Sequence, residues 1–284
     1  MTQDDIALIE PAYDTAGDGA PVLLLHGFPQ TRAMWRRVLP HLVPGYTCVT
    51  ADLRGYGASP KPAADRPDTY SFRAMAADMA ALMSGLGHDR FHLVGHDRGA
   101  RVAYRLARDH PGRLLSLTLM DIVPTDHLLD TWSAEVGRAY YHWTFLAQPA
   151  PLPESMIAAD PDAFYESCLL GWGSAELSQF PDLEAYRAAW RTPDAIRAMT
   201  ADYRAVFDVD WPMDRAEGLR TLDLPSFVLY GEDGAMARLY DVPATWVPRL
   251  TSMTARAMPG GHFFVDQHPD DTGAALREFL DSVT

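Results

Sequence analysis

The residues best placed to do chemistry in this 284-residue chain begin with Gly95-His96-Asp97-Arg98-Gly99. An apolar run, Phe91 to Val94, leads into it, and a helical stretch, Ala100 to Asp109, leads out. Small residues two places before and two after the centre suit a sharp strand-to-helix turn, because the two backbones come too close for larger side chains. The central side chain then stands above the sheet edge. Serine is the usual occupant; here it is Asp97. Read blandly, Asp97 is a helix N-cap at an ordinary βα turn. Read chemically, it is a nucleophile. A carboxylate attacking a carbonyl forms an anhydride, a poor intermediate, whereas attack on a saturated carbon bearing a leaving group forms an ordinary ester. Asp97 therefore predicts displacement at a saturated carbon, followed by hydrolysis of the ester.

That second step needs a base and an oxyanion site. His262, in Gly260-Gly261-His262-Phe263-Phe264, lies late in the chain between the last strand and the last helix, where a base can take a proton from water. His26-Gly27-Phe28-Pro29 follows the first strong strand, so the backbone N–H groups of Phe28 and Arg98 are expected to converge on the ester oxygen. Arg98 and Arg101, three apart at the start of a helix, offer two guanidinium groups to a carboxylate. Solvated arginines, such as Arg105 and Arg108 are expected to be, are the alternative, but Arg98 adjoins the turn itself.

Positioning these groups requires a sheet. Short apolar runs at Val22 to Leu25, Thr47 to Leu53, Phe91 to Val94, Leu114 to Asp121, Ser226 to Tyr230 and Thr254 to Met258 predict its strands. Between the second and third, Phe72, Met75, Met79, Leu82, Met83 and Leu86 recur at helical spacing, predicting a helix over Tyr70 to Leu86; another closes the chain over Asp270 to Val283. Strand–helix–strand order implies an α/β fold with a mostly parallel sheet and helices on both faces. Residues 125–215 break the pattern: no strand is predicted there, and five of the seven tryptophans fall within it. The expected division is a core of 1–124 and 216–284 with a helical cap, 125–215, inserted between.

Composition narrows the partners. Acidic residues outnumber basic ones 38 to 24, a net charge of −14, which argues against nucleic-acid and anionic-membrane surfaces. Cys48 and Cys168 form neither a disulfide framework nor a zinc motif, and no ligand cluster or phosphate-binding loop accompanies them, so no metal or other cofactor is expected. The first residues are acidic and lack the apolar run of a secretory signal, and nothing approaches a membrane span; a cytoplasmic protein is expected.

Taken together, His26-Gly27-Phe28-Pro29-Gln30, Asp52-Leu53-Arg54-Gly55-Tyr56-Gly57, Phe91 to Gly99, His142-Trp143, Gly171-Trp172-Gly173 and Pro259 to Asp266 closely resemble the fluoroacetate dehalogenases, α/β-hydrolases with a helical cap. The likeness covers nearly the whole length. In haloalkane dehalogenases and many epoxide hydrolases a tryptophan follows the nucleophile; here Arg98 does, which favours an anionic substrate, a short 2-haloacid, over a neutral one. The resemblance implies halide donors at His142, Trp143 and Tyr203, and a homodimer. Taken from the residues alone, those aromatics could equally be packing. Trp172 either limits the pocket or fills the core. For the acid that orients His262, the resemblance favours Asp121, with Asp233 in Gly231-Glu232-Asp233-Gly234 as the alternate. An epoxide hydrolase with the same nucleophile is the rival enzyme, and a non-catalytic binder the rival from another class.

Overall fold

Val22 to Leu25 and Phe91 to Val94 carry no polar alternation, as strands covered on both faces require. In the computed structural model, which describes residues 7–173 and 176–284, both stretches are buried end to end. They belong to β2 (Asp18–Leu25) and β4 (Phe91–His96), the centre of a sheet completed by β1 (Tyr13–Ala16), β3 (Pro44–Ala51), β5 (Leu114–Met120), β6 (Leu222–Gly231) and β7 (Leu250–Met258). The spatial order is β1-β3-β2-β4-β5-β6-β7. β1 pairs antiparallel with β3; every other pairing is parallel. All the predicted strands are present. β1 escapes a reading by hydrophobicity because it is a four-residue edge strand whose side chains mostly face water.

The predicted helix after β3 runs from Phe72 to Gly85, started by Ser71, whose hydroxyl accepts the Ala74 N–H at 3.2 Å. Its Phe72, Met75, Met79 and Met83 are buried. Asp78, on the same helix, fixes it to the turn after β3: its carboxylate takes Arg54 Nε at 2.8 Å and Nη2 at 2.7 Å, both side chains being buried. The terminal helix spans Pro269–Ser282. Between β5 and β6 the described residues form only helices and turns, from Thr125 to Glu217. Trp143, Trp172 and Trp190 are buried within this segment, while Trp132 and Trp211 are partly covered.

Because β2, β4, β5, β6 and β7 are parallel, their carboxyl ends share one edge of the sheet. In such folds the loops leaving that edge build the site. Those loops hold Phe28, Asp97, Asp121 and His262, and β6 ends there at Gly231.

Candidate active site

The turn after β4 is built by contact between backbones. A Cβ on Gly95 would stand 2.4 Å from the Gly99 carbonyl oxygen, and one on Gly99 would stand 2.5 Å from the carbonyl oxygens of Leu25 and His26. Glycine is the residue that fits at either place. The same closeness twists the residue between them: Asp97 has φ 47° and ψ −112°. Among the described residues, Asp97 and Asp121 (φ 53°) are the two that adopt a positive φ without being glycine. Such conformations cost of order 1–3 kcal/mol each and gather at functional sites. No side-chain capping bond is made by Asp97, which stands at the head of the helix Arg98–Asp109. Its Oδ2 instead accepts the Phe28 N–H at 3.0 Å, the donor expected to face that oxygen.

Asp121 follows β5 and turns toward the loop after β7. Its Oδ2 lies 2.5 Å from His262 Nδ1, and its Oδ1 accepts the Gly231 N–H at 2.9 Å. Both side chains are buried. Of the two candidate acids, Asp121 is the one paired with His262; Asp233 is exposed. Burial opposes a charge on His262, but the Asp121 bond and charge, joined by Asp97, outweigh it and raise the pKa above the usual histidine value. Burial likewise opposes ionisation of Asp97, yet the charges of His262, His96, Arg101 and Arg98 hold its pKa below the usual carboxylate value. Asp97 is thus a carboxylate at neutral pH, as a nucleophile must be.

His142 and Trp143, on the helix Tyr141–Leu146, meet Tyr203, on the helix Pro193–Ala205. The ring of Tyr203 lies 5.5 Å from His142 and 5.8 Å from Trp143. Phe28 packs at 5.9 Å from His142 and 5.2 Å from Tyr203, bringing these two next to the loop that touches Asp97. Burial lowers the His142 pKa well below its usual value and raises that of Tyr203 well above, so both are neutral donors at physiological pH. Trp172 fills the space between His142 (4.2 Å) and His262 (5.5 Å), and its indole N–H bonds the Ala139 carbonyl at 2.9 Å.

The two arginines are both buried and differ in their partners. Arg98 donates from Nε to Asp202 Oδ2 at 2.9 Å, and from Nη2 to Asp202 Oδ1 and to the Asp202 carbonyl. Arg101 donates from Nη1 to the Val123 carbonyl at 3.1 Å and to Thr125 Oγ1 at 2.9 Å, with no carboxylate among these acceptors. Without such a counter-ion, burial pushes its pKa down to about 10, still well protonated at neutral pH. The two guanidinium groups expected to serve a carboxylate are therefore differently partnered cations. Arg105 and Arg108, expected to be solvated, are also buried, paired with Asp109, Asp214 and Glu217. The Asp52 motif is structural: its carboxylate accepts the Arg32 and Ala58 N–H groups and anchors the loop after β3.

Sequence reasoning missed Asp202, Tyr56 and Tyr140. The Tyr56 hydroxyl donates to Asp202 Oδ2 at 2.6 Å. Tyr140 is buried with its hydroxyl unpartnered, and its ring is stacked at 6.1 Å from Trp172. An acid directly before a candidate donor, Asp202 before Tyr203, was the one visible cue. Among the described residues no group of three or more His, Cys, Asp or Glu could hold a metal ion, and no helix is long and apolar enough to cross a membrane.

An aspartate on a strained turn, beside a paired histidine and carboxylate at one sheet edge, sits on an architecture whose family pattern, described as the alpha/beta hydrolase fold, matches residues 20–269. The chain belongs to that alpha/beta hydrolase family. It is 52% identical over 268 residues to a fluoroacetate dehalogenase from Burkholderia sp, covering 93% of this hydrolase and 88% of the relative. A soluble epoxide hydrolase from Corynebacterium sp. (strain C12) is 41% identical over 259 residues, covering 90% and 79%. Among solved structures, an alpha/beta hydrolase from Nostoc sp PCC 7120 superposes with a TM-score of 0.92 at 41% identity, covering 98% of this chain and 99% of that one. The expected fold class and the resemblance to fluoroacetate dehalogenases both hold.

Proposed function

We propose that this hydrolase cleaves the carbon–halide bond of short 2-haloacids, converting haloacetate to glycolate, halide and a proton. The observation that carries the reading is the Asp97 carboxylate on its strained turn with two buried arginines opening the helix behind it, a site for an anion whose neighbouring carbon is attacked. The relative named fluoroacetate dehalogenase supports it.

In the first step an Asp97 carboxylate oxygen forms a bond to the substrate's α-carbon. The carbon–halogen pair leaves as halide, accepting hydrogen bonds from His142, Trp143 and Tyr203. In the second, water adds to the Asp97 ester carbon and gives its proton to His262 Nε2, while Asp121 holds the imidazolium. The oxyanion on Asp97 rests on the N–H groups of Phe28 and Arg98. Collapse expels the glycolate oxygen, which takes the proton back from His262, and Asp97, with one oxygen now from water, returns to a carboxylate as its remaining proton passes to solvent. Arg98 and Arg101 bind the substrate carboxylate, and Trp172 bounds the pocket beside the two histidines. Residues 125–215 act as a cap over a core made of 1–124 and 216–284. A homodimer and a cytoplasmic setting complete the reading; sedimentation of the purified chain checks the first.

Turnover is tested in parallel on fluoroacetate, chloroacetate and a simple epoxide, reading halide and diol. Halide from the haloacids supports the proposal. Diol with no halide transfers the same nucleophile to the epoxide reaction named for the Corynebacterium relative. Binding without any turnover would point to a receptor. A single turnover in heavy-oxygen water that leaves Asp97 unlabelled refutes the ester route.

A further inference from the structure

The steps above make no use of Asp202, although it is among the most enclosed charged groups in the molecule. Its side chain and that of Arg98 are both fully buried. Three of its oxygens are engaged by Arg98, counting the backbone carbonyl, and Tyr56 adds a fourth bond at 2.6 Å. Arg98 Nη1 is left buried without a partner, as is Arg101 Nε. The guanidinium lies over the Tyr203 ring, its Cζ 4.2 Å from the centroid, while the Arg101 Cζ stands 4.7 Å from the Trp143 ring. Each arginine therefore rests on one of the proposed halide donors, and the attraction of a guanidinium for a π face helps to fix that ring's orientation.

Charge separates the two arginines. Arg98 is neutralised by Asp202; Arg101 is held by a carbonyl and a hydroxyl, so its charge is available to an incoming anion. We propose that Asp202 is a positioning residue: it cancels the charge of Arg98, holds it flat on Tyr203, and leaves Arg101 to attract the substrate carboxylate. Arg98 then supplies one directed N–H, from Nη1, and a fixed seat for the Tyr203 ring. This rests on the haloacid reading and assigns its two cations different tasks.

The test is Asp202→Asn, close in shape but without charge. Removing a negative charge from beside an anion site should tighten acetate binding by about threefold or more. Loosening Arg98 over Tyr203 should slow halide release in a single turnover by about tenfold for fluoroacetate, whose leaving group leans hardest on its donors, and by less than about threefold for bromoacetate. Equal slowing for both halides with acetate affinity unchanged would mean lost packing and overturn the proposal, as would no change in either. Weaker acetate binding would overturn it too, by making Arg98 the principal carboxylate holder. Should that variant fail to fold, Tyr56→Phe keeps every charge and removes one of the two hydrogen bonds to Asp202 Oδ2. It should slow fluoride release more than bromide release with acetate binding unchanged, and equal slowing again refutes the idea. No halide from wild type sinks the haloacid reading instead, while acetate binding, which needs no turnover, still decides the charge assignment.

Discussion

Replacing Asp121 by Asn probes the pair on which the second half-reaction depends. The structure gives a 2.5 Å contact between two buried groups, with the other Asp121 oxygen fixed by the Gly231 N–H at 2.9 Å. An amide keeps the shape, accepts only one of those two hydrogen bonds, and removes the negative charge facing His262. When His262 takes the water's proton, the imidazolium becomes a buried cation without its counter-ion. Breaking a buried ion pair in this way costs about 3–5 kcal/mol, and at about 1.4 kcal/mol per factor of ten the ester hydrolysis step should slow by roughly two to four orders of magnitude. Formation of the ester asks nothing of His262 and should change little. The enzyme should therefore release about one halide per active site and stall, heavier by one carboxymethyl group on the peptide containing Asp97. Bromoacetate, quenched-flow halide measurement and intact-mass spectrometry provide the assay. Asp233→Asn, at an exposed position, should stay within about twofold of wild type. Steady turnover by the Asp121 variant, or a stalled ester in the Asp233 variant, refutes the assignment.

Other expectations follow from the same geometry. Since His262 acts as a base only when neutral and its folded pKa is raised, ester hydrolysis should fall as the pH drops through a value above the usual 6.5; a single-turnover acid limb below 6.5 contradicts the coupling to Asp121. Gly99→Ala places a methyl 2.5 Å from the Leu25 and His26 carbonyl oxygens, a clash between backbones that should destabilise the fold by about 1–3 kcal/mol in urea unfolding. Arg54→Ala strands the buried Asp78 carboxylate and should cost about 3–5 kcal/mol, with Asp78→Asn in the same chain recovering part of the loss.

Legibility in the sequence followed the range of the interactions. Asp97 and its glycines could be read because the turn is set by neighbours within two residues, and His262 because its loop must leave the same sheet edge. The central strands announced themselves by continuous apolarity. Edge strand β1 did not, since half-exposed residues carry no such mark. The unlike fates of Arg98 and Arg101 were hidden because they are decided by Asp202, 104 residues from Arg98, and by the chain that passes over Arg101 at Val123 and Thr125. A side chain's type shows what it can do; which partner reaches it first is a property of the packed chain.

The positive φ at Asp97 means that the fold and the reaction pull this position toward different residues. Glycine would adopt that backbone without strain, and aspartate is held there against it. A population of variants sorted only for heat resistance would therefore tend to lose its nucleophile while keeping its shape. Selection on this scaffold has to count product as well as folded chains.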